Sequence, residues 1–151
     1  MSTDRFPRLQ GRDLTGRTRW LPEAFGERLN LVFVAFRRDQ QAMIDSWATW
    51  LQAPEVANRL AFWEVPVLAR RWAPMRPVID GGMAAGVRDE TARRRTMTVY
   101  GNVEKIAGAL GIPDRSTVSI FLVNRDGQVV DRASGAFDGT TAARFTKHAV
   151  E

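Results

Sequence analysis

The most regular pattern of the chain lies in residues 29–52, where an apolar run passes directly into a segment with helical spacing. Residues 29–36 (LNLVFVAF) are almost entirely apolar, as strands covered on both faces require. Downstream, large apolar side chains recur at i, i+1, i+4, i+7 and i+8, along one face of a helix. They are Met43, Ile44, Trp47, Trp50 and Leu51. We predict a buried strand followed by a long amphipathic helix with Asp39 as its N-cap.

Similar patterns predict the remaining elements. These are a strand at 60–68, a strand at 96–100, a helix capped by Asn102 and ended by Gly111, a hairpin of strands 117–124 and 128–134 around an Asp-Gly turn, and a last helix capped by Asp138. Residues 70–95 are rich in glycine, proline and arginine, so we expect a long loop there with one short helix near 78–87. Residues 5–28 form a lead-in rich in turn formers, anchored by Leu14, Trp20, Leu21 and Phe25, with one helical turn expected at 21–25.

The order of these elements predicts an α/β protein. Strand-helix-strand units require parallel pairing with right-handed crossovers, whereas the hairpin must add antiparallel strands. A mixed sheet with helices on both faces follows. At 151 residues the chain is long enough for one ordinary core, so we expect a single domain, 1–151, with 1–28 as the lead-in and 29–151 as the core.

Charge favours an acidic partner without identifying it. The chain carries 22 Lys+Arg and 17 Asp+Glu, a formal charge of +5, and only two of the cationic residues are lysines. Guanidinium groups suit bidentate contacts to carboxylate or phosphate, although an arginine-rich proteome would produce the same excess. The arginines are spread over the chain and accompany no nucleic-acid-binding motif, which places nucleic-acid binding third among the functions considered.

Cysteine is absent, which excludes disulfides, thiolate catalysis and cysteine-based metal sites. No cofactor motif is present, and we expect none to be bound. The first residues have no apolar core of signal-peptide length, and no later run approaches the roughly 18 apolar residues that span a bilayer. A cytoplasmic protein is therefore expected.

Several short blocks of sequence resemble a known family. They are Val34-Ala35-Phe36-Arg37-Arg38 with Gln40-Gln41, Glu64-Val65-Pro66-Val67-Leu68, Asp80-Gly81-Gly82-Met83, Arg95 to Tyr100, and Leu122 to Gly127 leading to Ala133-Ser134-Gly135. The blocks and the element order resemble the thioredoxin-like fold in its redoxin or peroxiredoxin form. More narrowly, they resemble bacterial relatives of the mitochondrial ATP synthase assembly factor family. The resemblance implies a three-layer α/β/α fold with a C-terminal hairpin and a terminal helix.

The chain departs from this family at the residues that carry redox chemistry. The resemblance places the two redox cysteines of a thioredoxin near Gln41 and Ile44, and neither residue can exchange a disulfide. It places the usual cis-proline near Val118, where a cis bond would cost about 2.5–4 kcal/mol. Thiol-disulfide or peroxidase activity is therefore not expected.

The turn after the first core strand is the leading candidate site. Arg37, Arg38, Gln40 and Gln41 stand where a helix begins beyond the carboxyl end of a strand, a place where open α/β sheets bind ligands. Two guanidinium groups there can hold an anion or an acidic peptide. The alternative is that both arginines are solvated or pair with Asp39 and Asp45.

A second candidate is the segment Asp80 to Gly86, with Asp80, Gly81 and Gly82 as its central residues and Arg95 among the flanking arginines. Adjacent glycines permit close approach of a ligand to the backbone, but a flexible connector has the same composition. Trp47 and Trp63 are expected in the core, and His148 is expected at the surface.

Two functions remain open. The first is a cysteine-free thioredoxin-like binding module, an assembly or chaperone-type factor, that engages an acidic protein segment or a small anion. The second is a thiol-independent enzyme for a small anionic substrate, with Arg37, Arg38 and Asp80 as its binding or acid/base groups. The enzyme requires a cavity in which these three side chains converge.

Overall fold

The computed structural model describes residues 4–86 and 89–150, and they form one mixed sheet with helices on both faces. The strands are β1 (Leu9–Asp13), β2 (Thr18–Leu21), β3 (Leu29–Ala35), β4 (Ala61–Ala69), β5 (Met97–Gly101), β6 (Ser119–Asn124) and β7 (Val129–Ser134). The helices are α1 (Gln41–Asp45), α2 (Ala48–Gln52), α3 (Pro54–Ala57), α4 (Arg76–Gly86), α5 (Glu90–Arg94), α6 (Val103–Ala109) and α7 (Gly139–Val150). Short 3-10 segments precede α1 (Arg38–Gln40) and α4 (Arg70–Met75).

The seven strands lie in the order β2-β1-β5-β4-β3-β6-β7. β3, β4 and β5 are parallel, and the other pairs are antiparallel. This arrangement confirms the predicted α/β class and the C-terminal hairpin, whose Gly127 has φ +86°. Pro66 is the last residue of β4 that pairs with β3, and β5 pairs with β4 only from Val67 onward. Glu64 of β4 also pairs with Thr96, just before β5, so the missing N–H of the proline falls in a gap between two pairings of β4 with that segment.

The lead-in was expected to be irregular, but it contains β1 and β2, which extend the sheet beyond β5. Its strands are four and five residues long and largely polar, so they carry no apolar alternation that could be recognised. Their pairing depends on β5, since Arg12 lies opposite Thr98. Trp20 was expected to anchor this segment, but it is 41% exposed and lies beneath the Arg8 guanidinium.

The core is divided by the sheet into two layers. On one side, α6 and the lead-in cover the face that carries Trp63, Val65 and Val99. On the other side, α1, α3 and α7 cover Leu31 and Phe33. Trp63 and Trp47 are 4% and 1% exposed, which confirms that both are core residues. Asn30 of β3 connects the strands because its amide donates to Val123 O (3.2 Å) and accepts from Trp63 Nε1 (3.1 Å).

The long helix predicted after β3 is interrupted at Ser46 and Trp47. The Ser46 hydroxyl donates to Met43 O at 2.5 Å and accepts from the N–H of Phe137 at 2.8 Å, while the buried indole of Trp47 donates to Gly135 O at 3.2 Å. These contacts to the segment before α7 divide the helical stretch into α1 and α2. Asp39 is not the N-cap, because it lies inside the 3-10 segment, whose N-cap is Arg37, and the N-cap of α1 is Gln40; neither residue makes a side-chain cap.

The glycine-rich segment is more regular than predicted. Residues expected to be mainly loop form the 11-residue helix α4, and Gly81 and Gly82 lie inside it without positive φ. Open space surrounds both glycines, and a Cβ at either position would meet no neighbour within 4 Å. Val87, the expected end of the short helix, lies outside the described residues. Asp89 caps α5 by accepting from the N–H of Ala92 at 3.3 Å.

Candidate functional site

A groove of about 810 Å³ opens at the carboxyl end of β3, between α1, α2 and α4. Most of its wall is apolar, and residues of the strands β3 and β4 and of the helices α1, α2, α4 and α5 contribute to it. The main apolar members are Phe36, Ile44, Leu51, Phe62, Leu68 and Met83. Its volume lies within the range of small-molecule sites, about 300–1,000 Å³.

Arg37 and Arg38 line the mouth of this groove. Arg37 is exposed, and its Nε lies 3.8 Å from Asp39 Oδ1, in an ion pair whose side chains are both more than half exposed. Such a pair contributes little because water screens it. Arg38 forms no ion pair within the part of the chain that the structure describes. Of the pairings considered as the alternative to ligand binding, only the weak one between Arg37 and Asp39 is present, and Asp45 pairs with neither arginine.

Gln40 lies beneath this turn, 1% exposed. Its Oε1 accepts from the N–H of Phe36 at 2.8 Å, and its Nε2 donates to Arg115 O at 2.6 Å. Both the oxygen and the nitrogen of the side-chain amide are therefore hydrogen-bonded within the protein. The side chain holds the Arg37–Arg38 turn in place and is not presented to a ligand.

Gln41 and Glu64 form the polar part of the groove floor. Gln41 Nε2 donates to Glu64 Oε1 at 2.9 Å and to Asp45 Oδ1 at 3.0 Å. Burial raises the pKa of Glu64; the hydrogen bond from Gln41 opposes this effect, and the charge of Asp45 adds to it. Sequence reasoning did not select Glu64 as a site residue, although it is the one charged residue in the apolar run 60–68.

The structure separates the other candidate residues from the two arginines. Asp80 is turned away from the groove, and its Oδ1 accepts from the Tyr100 hydroxyl at 3.0 Å. Gly82 lines the groove, whereas Gly81 is exposed and does not. The Arg95 guanidinium lies 6.0 Å from the Trp63 ring centre, on the opposite face of the sheet. The convergence that the enzyme hypothesis requires is therefore absent from the groove, because Asp80 does not line it.

The residues predicted to correspond to the redox positions of a thioredoxin, Gln41, Ile44 and Val118, lie near the carboxyl end of β3. Gln41 begins α1, and Ile44 is buried at 4% exposure in the groove wall. Val118 is fully buried, and within residues 4–86 and 89–150 the only cis peptide bond is Leu21-Pro22. Gln41 therefore places an amide beside the apolar wall of the groove, to which Ile44 belongs.

Two further classes of site are absent among the described residues. No group of three or more His, Asp or Glu side chains is placed to hold a metal ion there. None of the helices in this part of the chain has the length and apolar character needed to cross a membrane.

His148 lies at the surface as predicted, with its Nε2 3.4 Å from Asp131.

Comparison with solved structures shows the fold class. BsSco, a member of the Sco family of cytochrome c oxidase assembly proteins, is 14% identical with a TM-score of 0.61, over 98% of this chain and 92% of its own. Yeast Sco1 with copper bound is 12% identical with a TM-score of 0.62, over 98% and 94%. A putative thiol:disulfide interchange protein DsbE from Chlorobium tepidum is 17% identical with a TM-score of 0.58, over 99% and 96%.

These likenesses identify the protein as having a thioredoxin-like fold over nearly the whole chain. No protein-family model and no curated protein sequence matches it. The predicted thioredoxin-like class is therefore confirmed. The narrower likeness to ATP synthase assembly factors remains a prediction.

Proposed function

We propose that this protein is a non-redox thioredoxin-like binding module that holds an acidic protein segment in the groove, as an assembly or chaperone-type factor. The observation that carries the proposal is the groove itself, in which an apolar wall meets two exposed arginines, Arg37 and Arg38, at the carboxyl end of β3. An extended segment can place apolar side chains against Phe36 and Met83 while its carboxylates approach Arg37 and Arg38.

The charges around the groove favour an acidic segment over a basic one at the mouth. Arg37 has an exposed ion-pair partner in Asp39 and donates weakly to Ser116 O at 3.4 Å, and charge-assisted hydrogen bonds from a guanidinium to a carboxylate are about twice as strong as neutral ones. A ligand carboxylate would be repelled at the floor, where Glu64 lies, so its acidic groups belong at the arginine end.

Fluorescence anisotropy with three labelled synthetic peptides tests this function. One alternates leucine with glutamate, the second alternates leucine with lysine, and the third alternates serine with glutamate. The first peptide is expected to bind most tightly, because it alone offers both apolar side chains and carboxylates. Arg37→Ala/Arg38→Ala should weaken its binding roughly tenfold or more, the equivalent of one or two charge-assisted hydrogen bonds.

The matched control is Arg17→Ala/Arg59→Ala, which removes the same charge from two exposed arginines outside the groove. It should change the affinity less than twofold. Equal losses in both double variants would show that net charge alone attracts the peptide, and equal binding of the lysine peptide would contradict an acidic ligand. A further variant, Met83→Glu, places a charge in the apolar wall and should abolish binding of the first peptide while leaving the protein folded.

A further inference from the structure

A second cleft, of about 340 Å³, lies at the carboxyl ends of β4 and β5, beside β1 and the start of α4. Cationic side chains from four separate segments line it, and no carboxylate does. They are Arg8, Arg12, Arg70, Arg76 and Lys105. The groove shares no lining residue with this cleft. Because ligands of open α/β sheets bind beyond the carboxyl ends of the strands, the position is itself that of a ligand site.

The cationic groups of this basic cleft are largely uncompensated. Among the described residues, Arg12, Arg70, Arg76 and Lys105 form no ion pair. Arg8 pairs with an acid at 3.4 Å, but both side chains of that pair are more than half exposed. Like charges around one cleft repel each other, so the bare cleft is electrostatically unfavourable and a bound polyanion would relieve the repulsion.

Arg76 provides a second and independent indication of a ligand. Its guanidinium carbon lies 4.4 Å above the Tyr100 ring, and its buried Nε has no hydrogen-bond acceptor among the described residues. A buried donor without a partner is unfavourable, because it has lost its hydrogen bond to water without replacing it. The nearby Asp80 does not supply that partner, since it lies beyond ion-pair distance and one of its oxygens accepts from Tyr100.

We propose that the basic cleft binds a small molecule carrying two or more phosphate groups. Four of the five cations are guanidinium groups, whose planar fork suits bidentate contact with phosphate oxygens. Five positive charges exceed what one phosphate can neutralise, whereas a diphosphate carries enough negative charge to engage several of them. The volume, near the lower limit of small-molecule cavities, suits such a ligand and excludes a folded protein segment.

Isothermal titration calorimetry with inorganic pyrophosphate tests the proposal, with inorganic phosphate and citrate as comparison ligands. Pyrophosphate should bind at least tenfold more tightly than phosphate, and the affinity should fall as salt is raised. Arg70→Gln/Lys105→Gln changes two exposed side chains and should weaken pyrophosphate binding tenfold or more. Arg76→Gln, which removes the buried donor, should weaken it independently. Citrate should bind less tightly than pyrophosphate, and equal affinity would overturn the assignment to phosphate.

The matched control is Arg59→Gln/Lys147→Gln, which removes the same charge from two exposed residues outside both the cleft and the groove and should change pyrophosphate affinity less than twofold. Amide chemical shifts should move at residues 100–105 and not at 36–41. Equal losses in both double variants, no binding at millimolar pyrophosphate, or shifts confined to 36–41 would each overturn the proposal. The peptide and pyrophosphate experiments concern different residues, so one can fail while the other succeeds.

Discussion

Replacing Asn30 by alanine should lower the free energy of unfolding by about 2–6 kcal/mol. The side chain is fully buried in β3, the strand that leads into the groove. Its amide donates to Glu27 O at 2.9 Å and Val123 O at 3.2 Å, and its oxygen accepts from Trp63 Nε1 at 3.1 Å. The substitution removes all three hydrogen bonds and leaves the buried indole N–H without an acceptor.

The magnitude follows from these contacts. Each lost bond to a backbone carbonyl contributes about 0.5–1.5 kcal/mol, and an unsatisfied buried indole donor costs about 1–3 kcal/mol. Because small domains are stable by only about 5–15 kcal/mol, this loss is large. Trp63→Phe removes the donor, so Asn30→Ala should cost about 1–3 kcal/mol less in that background.

Urea unfolding followed by far-ultraviolet circular dichroism measures all four proteins of this double-mutant cycle. Asn58→Ala, at an exposed asparagine, serves as the control and should change stability by less than about 0.5 kcal/mol. The reasoning is refuted if Asn30→Ala costs no more than this control. It is also refuted if Trp63→Phe leaves the cost of Asn30→Ala unchanged, since the indole bond would then contribute nothing.

Two further predictions concern ionisation. Because burial raises the folded-state pKa of Glu64 above 4.5, the stability it contributes is present below that pH and is lost as pH rises through the folded pKa. Glu64→Gln should therefore stabilise the protein at pH 7, by about 1.4 kcal/mol for each pH unit that separates the folded-state pKa from the unfolded one. At pH 4 the substitution should not stabilise it. A difference in unfolding free energy between the two proteins that stays constant with pH would contradict this prediction. Tyr100 is the only tyrosine, and burial together with the hydrogen bond to Asp80 raises its pKa to about 12. Absorbance titration should show one phenolate transition with its midpoint near pH 12, and in Asp80→Asn that midpoint should move toward pH 10. An unchanged midpoint would exclude the Asp80 contact.

Much of the local structure was predictable because its determinants are local. The apolar run of β3, the Asp-Gly turn before β7 and the caps Asn102 and Asp138 each act within a few residues. Asn102 accepts from Lys105 N at 3.1 Å, and Asp138 accepts from Thr141 N at 3.0 Å, as predicted. The helix break at Ser46 was not predictable, because it depends on Phe137, more than ninety residues away.

The candidate site was predicted only in part. Arg37 and Arg38 could be selected because a strand-to-helix junction is visible in the sequence. Gln40 was selected with them, but its burial depends on the carbonyl of Arg115. Asp80 was selected from its glycine neighbours, and the rotation of α4 turns it toward Tyr100 instead of the groove.

Three properties could be derived without coordinates: the thioredoxin-like order of elements, the absence of thiol chemistry and the position of two arginines at the end of the first core strand. Those properties follow from residue identity and from periodicity over a few turns. Which side chains share a cavity depends instead on how distant segments pack together. The apolar groove joins β3, β4 and α4, and the basic cleft joins residues that are separated by up to about a hundred positions, because parallel strands bring distant carboxyl ends to one edge of the sheet.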